Sequence, residues 1–203
     1  MTTCYKLTRQ DNTTYNNCLW GEGITHETDG IGELCGPGWL HAYSHPLLAV
    51  FLNPIHADIE NPKLWECIGD GRCLDDRGLK CGYTRLTTVR EVPLPEVTTE
   101  QRIAFTILCS KEVCRDPKWT VWADNWLSGD DRTETAALAA TSTADYWAAR
   151  AAARAVARAA YLAEAAYAAA YAAARAADWA ADVAANLAVD IDLVSLAKKA
   201  MEY

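Results

Sequence analysis

Histidine is the side chain whose ordinary titration lies closest to neutral pH, and the chain has four among its 203 residues. His41 and His45 stand four apart behind the run Leu34-Cys35-Gly36-Pro37-Gly38, with Trp39 and Tyr43 interleaved and His56 beyond. A metal-binding pair at that spacing needs one helical face, whereas Pro46 biases His45 away from the helical conformation. The spacing therefore does not favour a metal. Acid–base work by His41 needs a carboxylate or nucleophile within reach. Glu33, Asp58 and Glu66 are available by type, but nothing in their spacing assigns one. The competing reading is a histidine satisfied by backbone at a strand end beside a tight turn. Trp39, His41 and Tyr43 are accordingly candidate ligand-binding residues, with no catalytic residue and no metal ligand assigned.

A second group lies far downstream. Arg150, Arg154 and Arg158 repeat every four residues, with Trp147 before them and Tyr161 after. Like charges at i and i+4 on a helix repel by about 0.2–0.5 kcal/mol a pair, so the ladder carries a small cost. On an ideal helix Trp147, Arg154, Arg158 and Tyr161 lie within about 40° of one direction. One reading is a solvated ridge that keeps an apolar helix soluble. The other is an anion site, because guanidinium forks grip phosphate or carboxylate bidentately and flanking aromatics can stack a base.

The elements that must carry these residues differ sharply between the two ends of the chain. Residues 136–188 include 30 alanines, and alanine has the highest helix propensity because it loses no side-chain entropy on entering a helix. A helical region follows, with breaks expected at 141–143 and 186–190, and Asp190 is expected to cap a last helix that buries Ile191, Val194 and Leu196. Large residues recur every four positions at Tyr167, Tyr171, Arg175, Trp179, Val183 and Leu187. Four steps of 100° advance the pattern by 40°, which predicts an all-round packing element without one apolar stripe. Flat alanine faces permit close helix approach, so a partner helix is expected, from this chain or from a second copy in a homo-oligomer.

The front half reads as strands and turns. Strands are expected at 4–8, 14–20, 39–43, 64–68 and 83–92, with a loop at 69–78. A helix capped by Ser44 should run from Pro46 to a stop at Asn53-Pro54. Thr98 with Gln101 forms a capping-box pattern opening a helix with Ile103, Ile107 and Leu108 inward. Asp116-Pro117 opens the next, in which Trp119, Trp122 and Trp126 make a core stripe. The fold class is thus α+β: a small mixed, β-rich domain over 1–97, connecting helices over 98–128, and an all-helical, alanine-rich region over 129–203.

A net charge of −8 argues against an extended nucleic-acid surface, which needs clustered Lys and Arg; residues 1–135 alone carry 20 acidic against 13 basic side chains. The opening residues lack the apolar core of a secretory signal, which points to the cytoplasm and to reduced thiols. The eight cysteines include no CxxC pair, so zinc has little support. No membrane span is expected, since the alanine stretch contains Glu164 and is flanked by arginines. Walker, Rossmann, nucleophile-elbow and HExxH patterns are all missing from the sequence.

The run Glu33-Leu34-Cys35-Gly36-Pro37-Gly38-Trp39-Leu40-His41-Ala42 has company elsewhere. Tyr5-Lys6 precedes it, and Leu64-Trp65-Glu66, Lys80-Cys81 and Leu86-Thr87-Thr88-Val89-Arg90 follow, ahead of the alanine-rich tail. Over about residues 4–110 this resembles a family of small uncharacterised phage and prophage proteins with an LCGxGxxH-type motif. The tail composition also resembles some immunity proteins of toxin systems. The phage resemblance implies a mobile-element accessory protein, possible anti-defence, working in the host cell cytoplasm. The expectation is a cofactor-free binding protein that captures an anionic, nucleotide-like ligand or a host protein without turnover. The alternatives are a nucleotide-processing enzyme with Trp39, His41, Tyr43 and Glu66 around its pocket, or an immunity protein that binds a toxin.

Overall fold

A computed structural model describes residues 1–143, 165–188 and 190–203. The chain divides into two compact units, Met1–Glu96 and Val97–Tyr203. The architecture is α+β, with a five-stranded antiparallel sheet in the first unit and, among the described residues, helices filling the second. No described helix is long and apolar enough to cross a membrane.

In the first unit β1 (Thr2–Thr8) pairs antiparallel with β4 (Lys63–Asp75), and β4 with β5 (Cys81–Val92). The far edge of β5 takes two short strands in succession, β2 (Thr25–Glu27) opposite Arg85 to Thr87 and β3 (Leu40–Ala42) opposite Cys81 to Tyr83. Just past β3, Tyr43 exchanges backbone hydrogen bonds with Tyr5 at 2.7 and 2.8 Å. The sheet therefore curls until β3 meets β1, and its concave side becomes an interior. Bulges between Glu66 and Cys67 and between Asp70 and Cys73 supply the bend. A Cβ at Gly69 would meet the Tyr83 ring at 2.5 Å, so only glycine fits inside the bend. Cys4, Trp20, Ala42, Trp65, Cys67, Tyr83 and Leu86 fill the interior. Helix α1 (Pro46–His56) packs against β1.

Several expected boundaries shift. The presumed loop at 69–78 belongs largely to β4, because pairing with β5 outweighs the local glycine signals. Residues 14–20 form no strand; they hold a short 3-10 turn, Tyr15–Asn17, inside a tight loop. Helix α1 is capped by the His45 side chain instead of Ser44 and continues through Pro54 to His56. Asn53 braces that extra turn, since its side chain accepts from the Ile59 amide at 3.1 Å and donates to the Ile59 carbonyl at 2.9 Å.

The second unit follows its local signals closely. Helix α2 (Thr99–Val113) opens on the Thr98/Gln101 capping box and buries Ile103, Ile107 and Leu108. Helix α3 (Pro117–Ser128), capped by Asp116, buries Trp119, Trp122 and Trp126 and ends at Gly129 in a left-handed conformation. Next come α4 (Glu134–Thr143) and α5 (Ala165–Leu187). Helix α5 packs on α2 with Ala169, Ala173, Ala176, Ala177, Ala180 and Ala184 buried, whereas Tyr167, Tyr171 and Leu187 are exposed. The expected all-round packing is thus corrected: small residues make a single buried face, and of the drifting large residues Tyr167, Tyr171 and Leu187 are exposed while Arg175, Trp179 and Val183 are half-buried at its border. The last helix, α6 (Leu193–Ala200), is capped by Asp192 rather than Asp190 and buries Leu193, Ala197 and Ala200.

Candidate functional site

Strand alternation places Cys4, Lys6 and Thr8 on the same inward side of β1. Cys4 and Thr8 suit an interior; a lysine there is anomalous. Lys6 is 9% exposed, its Nζ donates to the His41 carbonyl at 2.9 Å, and it lies 4.5 Å from the centre of the Trp20 ring. Among the described residues no carboxylate pairs with it. Burial therefore pulls the Lys6 ammonium below its ordinary range, with only neighbouring cysteine thiols opposing that shift. An uncompensated buried charge costs several kcal/mol, so its retention calls for a reason.

The ammonium faces a cavity of about 800 Å³. Its lining comes from β1 (Lys6, Leu7), the following loop (Arg9, Thr14, Tyr15, Cys18), Trp20, His26 and the Cys35–Tyr43 region. Glu27 and Thr28, His56 at the end of α1, Ile59 beyond it and Lys80 before β5 also line it. Trp39, His41 and Tyr43, expected from the sequence as binding residues, all line this space. Trp147, Arg150, Arg154, Arg158 and Tyr161 lie outside the described residues.

The turn before Trp39 explains how those three are presented. Gly38 has no room for a Cβ, which would run into the Ile31 backbone. Its carbonyl accepts from the Gly30 amide at 3.0 Å, and Trp39 Nε1 donates to the Gly32 carbonyl at 3.1 Å. Arg72 covers the Trp39 ring at 5.3 Å. His41 Nε2 donates to the Leu34 carbonyl at 2.5 Å, an assignment that leaves Nδ1 as the lone-pair nitrogen. The Tyr43 ring stacks on His56 with centroids 6.0 Å apart.

Electrostatically the site combines two lysines with imidazoles whose pKa values burial lowers. Burial lowers the His41 pKa, opposed by its bond to Leu34 and reinforced by Lys6 and Lys80. Burial, and then Lys80, push His56 down to about 4, and its Nδ1 is buried with no hydrogen-bond partner. Burial raises the Tyr43 phenol. Lys80 Nζ donates to Cys35 Sγ at 3.2 Å and lies 3.9 Å from Asp76. Glu66, the carboxylate of the enzymatic alternative, does not line the cavity; it pairs with Arg90 at 2.7 Å. Glu27 does line it, but pairs with Arg85 at 3.5 Å. No cluster of His, Cys, Asp and Glu able to hold a metal occurs among the described residues.

No family model, curated protein or solved structure matches the chain. The site can hold an anion: Lys6 and the unpartnered His56 Nδ1 face one space, with Lys80 beside it shared with Asp76 and Glu27 paired to Arg85. Lys6 was missed as a candidate in the sequence. The available signal was the alternation of β1, which sets a lysine between Cys4 and Thr8 on the inward side.

Proposed function

We propose that the chain captures a small anionic, nucleotide-like ligand in the cavity of its first unit and releases it unchanged. The observation that carries this reading is Lys6, a buried ammonium facing an 800 Å³ cavity without a carboxylate partner. A phosphate or carboxylate on the ligand would supply the missing charge, and the desolvation already imposed on Lys6 strengthens that contact. A volume of this size lies within the usual range for small-molecule sites. Capture without turnover accords with the mobile-element accessory role that the resemblance implies. It accords also with a cavity whose one acidic lining residue is held by Arg85.

The test is thermal unfolding of the full chain with a panel of nucleoside monophosphates and of cyclic and NAD-derived nucleotides, followed by heat release and identification of what was bound. A ligand at 100 times its Kd stabilises by about 2.7 kcal/mol. At least one nucleotide should raise Tm and be recovered intact, and Lys6→Gln should abolish the shift. Absence of any shift would overturn capture, and recovery of an altered product would turn the reading to catalysis.

A further inference from the structure

The aromatic rings deep in the cavity are already engaged. Trp20 is 2% exposed, with Lys6 over its face at 4.5 Å and His26 against it, also at 4.5 Å. Trp39 is 5% exposed beneath Arg72, and Tyr43 is buried against His56. A ring on the ligand would have to find its platform at the rim. Tyr15 lines the same cavity and is 82% exposed.

Its placement is not that of a floppy loop. The Arg9 amide donates to the Thr13 carbonyl at 2.9 Å, the Thr14 amide to Cys18 at 3.0 Å, and the Trp20 amide to Asn12 at 2.8 Å. Asn16 and Asn17 adopt left-handed φ values of 56° and 55°, a conformation asparagine tolerates better than most residues. Arg9 Nη1 donates to the Thr14 carbonyl at 2.7 Å, which fixes a guanidinium on the backbone just before Tyr15. Thr14 Oγ1 accepts from Trp20 Nε1 at 3.0 Å. A run of contacts thus connects the buried Lys6 amine, through Trp20, to Thr14, the residue next to Tyr15.

We propose that Tyr15 is the stacking platform for an aromatic ring on the captured anion. The ligand is then held at two points, its phosphate by Lys6 and its base at the rim by Tyr15 beside Arg9. This rests on the capture reading above and narrows it, since a ringless phosphate would use the first point alone. Base stacking on an aromatic side chain tolerates sequence and adds about ten-fold or more in affinity.

Titration calorimetry of the full chain with the best-bound nucleoside 5′-monophosphate and with ribose 5-phosphate tests it. The nucleotide should bind at least about ten-fold tighter. Tyr15→Ala should erase that margin and leave ribose 5-phosphate binding and Tm unchanged, and Tyr15→Phe should keep the margin. Equal affinity for the two probes, or a margin that survives Tyr15→Ala, would overturn the platform and leave capture standing. If neither probe binds, capture falls and the platform with it.

Discussion

A buried lysine is informative because its energetics run against its presence. Lys6 gives up hydration and receives one carbonyl and one aromatic face in return. Lys6→Met removes the buried charge, whose desolvation costs several kcal/mol, and orphans the His41 carbonyl, which costs about 1–3 kcal/mol. The substitution should therefore raise the Tm of the free protein while eliminating nucleotide binding; a melting curve with and without ligand reads both. A large fall in Tm would mean that Lys6 is there for stability. The sequence held this residue in plain view, yet composition and motif spacing passed over it. His41, Trp39 and Tyr43 were legible because a Gly-Pro-Gly turn followed by aromatics is a local pattern. Lys6 becomes conspicuous only when β1 is given its two-residue alternation and its neighbours are known to be interior.

Between residues and the whole chain, legibility tracks how local each signal is. The starts of α2 and α3 could be read because Thr98 and Asp116 cap amides three residues ahead of them. The continuation of β4 past Gly69 could not, since Gly69 and Gly71 look like turn residues until β5 pairs alongside. Helix α5 shows the same limit in another form. Its sequence places large residues on a drifting four-residue beat, and only the packing on α2 shows that the alanines are the buried side. That face has no slack: Ala173, Ala176, Ala177 and Ala180 are fully buried. Ala177→Leu should therefore destabilise the second unit by about 1–3 kcal/mol through overpacking. Tyr171→Ala, on the exposed side, should stay within about 0.5 kcal/mol. Denaturant unfolding compares them, and equal effects would refute the alanine face as the packing surface.

At the scale of the whole molecule, the division at Glu96 and Val97 coincides with a change of chemistry: histidines are confined to the first unit, whereas the second is built from alanine and tryptophan. Acid sensitivity should originate in the first. The folded state holds His56 at about 4 against an ordinary 6.5, so between those values the unfolded chain binds a proton that the folded chain refuses. Stability from this group is complete above 6.5 and falls as pH drops toward 4. His41, also lowered, acts in the same direction. Lys6 does so at higher pH, below its ordinary 10.5. Cys4 and Cys67 act oppositely. Burial holds both at about 12 against an ordinary 9.0, so their contribution is complete below 9 and is lost as pH rises toward 12. Melting temperatures measured from pH 4 to 11 should therefore fall off at both ends. His56→Gln should flatten the acid limb and leave the alkaline limb in place. A bound nucleotide should flatten the acid limb too, since an anion beside the imidazoles restores their affinity for protons. An acid limb that keeps its slope in both cases would remove His56 from the account of stability and place the anion elsewhere.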